Sequence, residues 1–338
     1  MQSNLVFKYF SFLLLLVFLT GCGGSAPTVV KKKEPLPEWV NGILPNDTAQ
    51  EMYGFGVAKN RNLAIKTALN DTISRLGISI ESQYESYEKV QYHTSSQKIT
   101  NNIKADIAKV KINNYKVVKS YKISYNAYAV IVAVDKMKFL DGLKEQLEVD
   151  KKSISDELKS IKNRNKIVQY NTKYTLAQKA NSLKSAVFMI AQLDRSFPKA
   201  KNLKFIEDVQ KAYLQAKHSL KFYLHGDSRS KDFVVKLKNY LSSQNFNVTS
   251  QKNNAVFIKI TTDTTITTGS VKIAILKLNI KVYDKYGDIG GKSKIIKERY
   301  KTPLSLVYKN AAIHFEQDIK ELGLENVIGI HLQRDTND

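Results

Sequence analysis

Apolar positions recur along the chain with two spacings, and each spacing predicts one kind of element. The runs at 52–58 and 128–134 are short and mostly apolar, as in strands. Between them, apolar side chains recur every three or four positions, as on one helix face: Ile65, Leu69, Ile73, Leu76 and Ile80. Asn60 or Asn62 is placed to cap that helix. We expect 78–92 to be extended, because it mixes polar residues with tyrosines.

Two further strands complete the first predicted unit. Segment 115–125 predicts a strand that pairs with 128–134 around a turn at 125–127. The 128–134 run is nearly all apolar, so it is expected to be the central strand, buried on both faces. The order strand, helix, strands predicts α+β architecture with an antiparallel sheet.

The middle of the chain carries three amphipathic stripes, over 136–165, 174–193 and 203–216. Pro198 separates the second stripe from the third, since proline interrupts a helix. We expect these helices to pack as a hairpin or short bundle.

A second α+β unit follows. The pattern predicts strands at 220–225, 246–249, 256–261 and 271–283, a helix around 233–241, a turn at 284–288 and a last helix over 307–322. Gly323 stands where a C-cap glycine belongs. The predicted fold is therefore α+β, with two small antiparallel-sheet-plus-helix domains joined by a helical hairpin or bundle.

The amino terminus has the features of an export signal. Lys8 precedes the apolar stretch 10–19, which is too short to cross a membrane. The stretch ends in Leu19-Thr20-Gly21-Cys22, which resembles the lipobox of bacterial lipoproteins. That resemblance implies that the Cys22 thiol takes a diacylglycerol, that the peptide is cut before it, and that the new amino terminus is acylated. The alternative is an ordinary signal peptide with a chance cysteine at its end.

An acylated Cys22 predicts a protein held on a membrane without crossing it. Gly23, rather than aspartate, follows the cysteine, which resembles the sorting pattern of outer-membrane lipoproteins. We therefore expect an outer-membrane, lipid-anchored protein, on the periplasmic face or the cell surface. Cys22 is the only cysteine, so with this cysteine acylated we expect no disulfide, thiol nucleophile or cysteine metal site.

These observations divide the chain into six predicted parts. They are a signal peptide (1–21), a lipidated disordered tether (22–37), a first α+β domain (38–149), a basic helical segment (150–219), a C-terminal α+β domain (220–332) and a tail (333–338).

Positive charge is concentrated in the middle of the chain. The formal net charge is +22, and residues 151–221 hold sixteen Lys/Arg against five Asp/Glu. In a cytoplasmic protein this excess would indicate nucleic acid; the export signal argues against that partner. The remaining candidates are anionic envelope surfaces, such as peptidoglycan or lipopolysaccharide, or a basic surface that water alone solvates.

The first unit resembles a known family. Pro37-Glu38-Trp39-Val40, Tyr53-Gly54-Phe55-Gly56-Val57-Ala58, the helix alanines Ala64 and Ala68, and the strand 128–134 are similar to the Lpp-twenty lipoprotein family, over about residues 37–135. That family includes small outer-membrane lipoproteins and flagellar-disk lipoproteins. The resemblance implies a small α+β domain that self-associates or decorates envelope machinery, without enzymatic activity. The long addition after residue 150 departs from the short flagellar-disk members.

Two motifs imitate enzyme sites. Gly54-Phe55-Gly56 lies between a strand and a helix, as in a dinucleotide fingerprint, but the third glycine and the crossover are missing. We expect these glycines to allow close packing of strand and helix. Gly226-Asp227-Ser228 resembles the nucleophile block of GDS-type lipases. Their late Asp-x-x-His is missing, because Ala311 precedes His314 and Ile328 precedes His331 at that spacing. A turn with a cap at Asp227 or Ser228 is the better interpretation.

No further chemistry stands out in the sequence. The histidines are scattered without the spacing of metal ligands: His93, His218, His225, His314 and His331. Acidic pairs such as Asp156-Glu157 fall on predicted solvent faces. We therefore predict no catalytic, cofactor-binding or metal residue, and lipidation at Cys22 as the single site.

Two hypotheses about function follow. The first is a lipid-anchored, non-enzymatic outer-membrane protein with a structural role, self-assembling or associated with flagellar or other envelope machinery through the first domain. Edge strands are natural surfaces for such contacts. The second is a module that binds an anionic envelope polymer, peptidoglycan or lipopolysaccharide, through residues 151–221.

Overall fold

The computed structural model describes residues 35–92 and 110–333. Its contacts divide the chain into Met1–Ile43 and Leu44–Asp338. The described part of the first unit holds a short 3-10 helix, Glu38–Asn41, which ends at Gly42 with φ of +87°. Cys22, the predicted signal peptide and most of the predicted tether lie outside the described residues. The domain boundaries predicted from the sequence stay predictions.

The first sheet has three antiparallel strands: β1 (Glu51–Ala58), β2 (Tyr115–Ser124) and β3 (Ala127–Asp135). Their order is β1-β3-β2, so β3 is central. The run from Ala129 to Val134 is at most 2% exposed at every position. The predicted pairing and the predicted buried central strand are both confirmed, because only a strand with two covered faces needs an unbroken apolar run.

Helix α1 (Arg61–Tyr92) packs on this sheet through small residues. A Cβ on Gly54 would overlap the Ala68 carbonyl and the Thr72 hydroxyl, and one on Gly56 would overlap the Ala64 carbonyl. The glycines therefore allow helix and strand to approach closely, as predicted. Asn60 caps the helix, its Oδ1 accepting from the Leu63 N–H at 3.0 Å.

The extended segment predicted over 78–92 is wrong, because α1 continues through it to Tyr92. Ile80, Tyr84 and Glu88 follow one another at intervals of four and are all buried. Tyr84 packs on Phe188, with ring centroids 5.2 Å apart. Tertiary packing on one helical face therefore sets the conformation of this polar stretch.

Four helices form the middle of the chain: α2 (Lys136–Ser160), α3 (Lys166–Asn181), α4 (Lys184–Leu193) and α5 (Lys199–Ser219). The second predicted stripe is split between α3 and α4 at Ser182 and Leu183. Helices α2 to α5 share one apolar core with α1 and the first sheet, which includes Leu147, Ile154, Leu176, Phe188 and Leu203. Helix α2 runs unbroken through residue 150.

The second sheet has five strands: β4 (Lys221–Gly226), β5 (Asn247–Val248), β6 (Val256–Ile266), β7 (Ile273–Asp284) and β8 (Gly287–Arg299). Their order is β5-β4-β6-β7-β8. The sheet is mixed, which corrects the antiparallel sheet predicted for this unit. Strand β4 runs parallel to β5 and β6, whereas β6, β7 and β8 form an antiparallel meander. A helix connects β4 to β5, and a loop connects β5 to β6. Each connection carries the chain back to the starting end of the sheet, so that the next strand runs parallel to β4, whereas a hairpin would reverse it.

One face of this sheet is buried under helices. The helices are α6 (Lys231–Ser243), α7 (Leu304–Leu322) and α8 (Leu324–Ile328). Phe222, Phe233 and Phe315 are completely buried in a core that also takes in Tyr170 of α3 and Tyr213 of α5. Helices α3 and α5 therefore contribute to both cores. Gly323 ends α7 with φ of +83°, and its N–H bonds the Ile319 carbonyl, as predicted.

Strand β7 alternates strictly between buried and accessible residues, and β6 does so from Val256 to Asp263. The helices cover one set, and the other set forms an open face. No helix in residues 35–92 or 110–333 is long and apolar enough to cross a membrane. The α+β class predicted from the sequence is confirmed.

Candidate functional site

Two groups of cations stand out in the basic segment predicted over 151–221. In the first group the lysines have acidic or polar partners: Lys151 with Glu148 and Asn202, Lys159 with Asp156, Lys179 with Asp150, Lys184 with Glu88, and Lys204 with Asp208. Their charges are balanced locally. Other cations of the segment, including Lys201 and Lys211, lie exposed on α5 outside both groups.

The second group surrounds a cavity of about 220 Å³ between α3, the end of α5 and the β7–β8 turn. We call it the lysine pocket, after its four lysines: Lys162, Lys166, Lys173 and Lys285. Gln169, Ser219, Asn254 and Tyr286 add polar groups to the lining. Three of the lysines belong to the predicted basic segment, whereas Lys285 comes from the second sheet.

Asp284 brings the two sources of lysine together. Its Oδ2 accepts from the Lys166 backbone N–H at 2.9 Å, and its Oδ1 accepts from the Tyr286 N–H at 2.8 Å. One buried carboxylate therefore joins the start of α3 to the β7–β8 turn. Because Asp284 is only 7% exposed and makes these bonds, it is held within the structure rather than at the pocket surface.

The loop before α3 is fixed by its own side chains. Asn165 caps the helix, its Oδ1 accepting from the Val168 N–H at 2.9 Å. The Gln169 amide donates to the carbonyls of Lys162 at 3.2 Å and Arg164 at 2.7 Å. These bonds hold Lys162 at the rim of the pocket.

The surroundings of the pocket disfavour the charged form of two of its lysines. Burial lowers the pKa of Lys166, the Asp284 carboxylate opposes that shift, and Lys285 and Lys221 add to it. The Lys166 ammonium donates to the Asn254 carbonyl. Burial also lowers the pKa of Lys173, which has no hydrogen-bond or ion-pair partner in the described part of the chain. An anion in the pocket would offset both effects.

The open face of the second sheet begins at the same end of β7. Tyr223, Phe257 and Tyr283 lie opposite one another on β4, β6 and β7 and form an aromatic row. The ring centroids of Phe257 and Tyr283 are 5.1 Å apart and those of Tyr223 and Phe257 are 5.6 Å apart.

On the same face, two residues further from the β7–β8 turn on each strand, lies a basic row: His225, Lys259 and Lys281. Burial lowers the pKa of His225, and Lys259 and Lys252 lower it further. Sequence reasoning missed both rows. The period-two alternation of 256–261 and 273–284 is the signal that would have placed these side chains on one face.

The structure also shows the role of Gly226-Asp227-Ser228, the motif that resembles a lipase nucleophile block. Asp227 Oδ1 accepts from the Ser230 hydroxyl at 2.6 Å, and its Oδ2 accepts from the Thr262 N–H at 3.1 Å. It stabilises the turn into a 3-10 helix, Ser228–Ser230, so the predicted turn is confirmed. Asp227 occupies the N-cap position of that helix, as predicted, but its side chain makes no capping hydrogen bond there.

The described histidines lie apart from one another. His314 contacts Glu298 at 2.5 Å, His331 contacts Glu325 at 3.0 Å, and His225 lies 3.5 Å from the Tyr283 hydroxyl. In the described ranges no three His, Cys, Asp or Glu side chains gather as metal ligands. His93 lies outside those ranges. Asp156 and Glu157 are exposed, as predicted.

A larger cleft of about 520 Å³ lies between α2 and the α3–α4 junction. Among the described residues that line it, Asp150 is the one carboxylate, and Phe139, Leu143 and Leu147 are apolar. These described residues do not include the paired carboxylates of general acid–base chemistry.

No protein-family model matches the chain, and no curated protein matches it. Among the solved structures similar to it is the secreted protein HP1454 from the human pathogen Helicobacter pylori. That protein is 15% identical, with 80% of this chain and 98% of that chain covered, at a TM-score of 0.43. A minor lipoprotein from Acinetobacter baumannii is 15% identical over 33% of this chain and 97% of its own, at a TM-score of 0.24.

Proposed function

We propose that the chain is a lipid-anchored outer-membrane lipoprotein, without catalytic activity, that binds an anionic envelope polymer, lipopolysaccharide or peptidoglycan. The observation that carries this proposal is the lysine pocket. Four lysines line one cavity, and the carboxylate of Asp284, which joins two sides of that cavity, is already bonded to backbone N–H groups. A site with this charge balance attracts anions over several ångströms.

The lipobox at Cys22 gives the proposal its location. A protein held at the envelope by acyl chains meets anionic glycans and headgroups rather than nucleic acid. The basic row adds further cations on the open face of the second sheet. A polymer with repeated charges can contact both regions at once, which raises its apparent affinity.

Co-sedimentation with the two polymers tests this proposal. The acylated protein, purified from membranes in detergent, is mixed with lipopolysaccharide or with peptidoglycan sacculi over a series of salt concentrations. We expect binding to at least one polymer that weakens as salt rises, because ions screen exposed charges. Lys173→Glu with Lys285→Glu should reduce binding at least tenfold.

The matched control reverses the same number of charges outside the pocket. Lys201 and Lys211 are exposed on α5 and belong to the same basic segment. Lys201→Glu with Lys211→Glu should reduce binding far less. Equal losses in the two double variants would show that only net charge matters, and absence of binding to either polymer would overturn the proposal.

A structural role through self-association is the second candidate, favoured by the exposed edge of the first sheet. The outer edge of β1 is occupied, because Asp47 accepts from the Tyr53 N–H at 2.9 Å and Asp71 from the Phe55 N–H at 3.0 Å. The outer edge of β2 carries exposed side chains, including Val118 at 41% and Tyr115 at 42%. Strand addition would therefore use β2.

Lysines along β2 are an observation against this candidate, because pairing of two copies would bring them close together. Lys116, Lys119 and Lys122 are exposed, and like charges on two copies would repel each other. Light scattering of the acylated protein at low and high salt tests this candidate, with Cys22→Ala as the unanchored control. A defined oligomer at both salts that Ser120→Pro dissociates would support it, since Ser120 lies on the open edge. A monomer at both salts would exclude it.

A further inference from the structure

Lys173 is the clearest sign that the lysine pocket is built for a ligand. Its ammonium is partly buried, and among the described residues it has neither a hydrogen-bond nor an ion-pair partner. Burying an ammonium without a partner costs free energy. Lys179, six residues further along the same helix, lies 3.8 Å from Asp150. Lysines on this helix can therefore have acidic neighbours, and the lack of one at Lys173 in the described ranges is specific to its position in the pocket.

The chemistry of the lining distinguishes between kinds of anion. Arginine, whose planar fork matches a carboxylate, does not occur among the described residues that line the cavity. Lysine ammonium groups act as point charges and can approach a tetrahedral oxyanion from several sides. Lys166 approaches from α3, Lys285 from the β7–β8 turn, and Lys162 from the loop before α3.

We propose that the lysine pocket is a phosphate site, which takes a phosphate group carried by a lipid headgroup or a glycan. The cavity of about 220 Å³ has room for one such group with its first waters. Ser219, Asn254 and Tyr286 offer polar groups to the oxygens that the lysines do not reach. This inference rests on the proposed function and selects phosphate-bearing lipopolysaccharide over peptidoglycan, whose charges are carboxylates.

Calorimetry with small anions tests the site without any polymer. The acylated full-length protein in detergent is titrated with inorganic phosphate and, separately, with acetate at the same ionic strength. We expect phosphate to bind at least tenfold more tightly than acetate. Lys173→Gln with Lys285→Gln should weaken phosphate binding at least tenfold, whereas Lys201→Gln with Lys211→Gln should leave it unchanged. Equal affinity for the two anions, or phosphate binding that persists in the pocket variant, would overturn the inference.

The pocket variant is expected to fold, because no described hydrogen bond or ion pair uses the Lys173 or Lys285 ammonium. Lys166 is left intact, since its ammonium bonds the Asn254 carbonyl and its backbone N–H bonds Asp284. Equal thermal unfolding of variant and parent confirms that a loss of binding comes from the site. If the pocket variant unfolds early, Lys162→Gln at the exposed rim gives the same test.

Two further titrations identify the source of the phosphate. Lipopolysaccharide is compared with the same material after enzymatic dephosphorylation, and phosphatidylglycerol vesicles are compared with phosphatidylcholine vesicles. Loss of binding on dephosphorylation indicates the glycolipid, and preference for phosphatidylglycerol indicates a phospholipid headgroup. Phosphate binding without polymer binding would leave the site standing and refute the proposed function. Polymer binding without phosphate binding would leave the proposed function standing and refute the phosphate site.

Discussion

Lys184 of α4 and Glu88 of α1 form an ion pair between two helices, with the Lys184 ammonium 2.5 Å from Glu88 Oε1. Their side chains are 1% and 8% exposed. The Lys184 ammonium also lies 5.7 Å from the centre of the Tyr87 ring. Two charges removed from water in this way depend on each other, because either one alone would remain buried without compensation.

Removing one partner of this pair should destabilise the protein strongly. Lys184→Met leaves the Glu88 carboxylate buried beside an apolar side chain, and we expect a loss of about 3–5 kcal/mol in the free energy of unfolding. Adding Glu88→Leu should recover much of the loss, because the buried charge is then gone. Denaturant unfolding of the single and double variants gives the coupling between the residues.

The exposed pair Lys204–Asp208 provides the comparison. Its atoms are 3.1 Å apart, but the side chains are 72% and 60% exposed. Lys204→Met should therefore leave stability nearly unchanged, since water already solvates both charges. If Lys184→Met and Lys204→Met lower the free energy of unfolding equally, burial does not determine the strength of the Lys184–Glu88 pair.

The same ion pair explains where sequence reasoning about α1 failed. The apolar spacing that predicts its first half ends at Ile80, and the next buried positions are Tyr84 and Glu88. A glutamate on the buried face looks like an exposed residue in the sequence alone. Its partner lies 96 residues further along the chain, so only the tertiary structure shows why this half is helical. By contrast, β3 was predicted well, because its apolar run is local and continuous.

Close packing at Gly54 predicts opposite effects for two glycine substitutions. Gly54→Ala places a methyl group against the Ala68 carbonyl and the Thr72 hydroxyl, so helix and strand have to separate. We expect a loss of about 1–3 kcal/mol in stability. Gly142 lies inside α2 with open space around it, and Gly142→Ala should stabilise the protein by about 0.5–1 kcal/mol. Thermal and denaturant unfolding measure the stability of both variants. A Gly54→Ala protein as stable as the parent would contradict close packing at Gly54.

The turn at Asp227 predicts a structural, rather than catalytic, role for Gly226-Asp227-Ser228. Asp227→Ala removes the acceptor for the Ser230 hydroxyl and the Thr262 N–H, and both residues are at most 2% exposed. Leaving buried donors without acceptors should cost about 1–3 kcal/mol in the free energy of unfolding. Ser228→Ala, at the exposed position that a lipase nucleophile would occupy, should leave unfolding unchanged. Esterase activity that disappears in Ser228→Ala would refute this interpretation.

The candidate site was predictable in its charge but not in its position. The excess of lysine over 151–221 identifies the basic region, and Lys162, Lys166 and Lys173 of the pocket belong to it. The sequence does not reveal which lysines have acidic partners, as Lys184 does. It also separates Lys285 from the segment by more than sixty residues, whereas in the fold the bonds of Asp284 join them.

Asp194 predicts how the helical segment responds to acid. A hydrogen bond from the Lys144 ammonium at 2.8 Å, with further bonds from Ser196, lowers the pKa of this carboxyl to about 2 from an ordinary value of 3.8. Because the folded pKa is the lower one, the ionised form favours the folded state. This contribution is complete above pH 4 and is lost as the pH falls through 2. The parent protein should therefore lose more stability over that range than Asp194→Asn, which has no carboxyl to protonate. Lys144→Met should also make the free energy of unfolding depend less on pH over that range, because it removes the main cause of the lowered Asp194 pKa. Denaturant unfolding of the three proteins between pH 2 and 6 measures the difference, and parallel profiles would show that the Lys144–Asp194 bond does not form in solution.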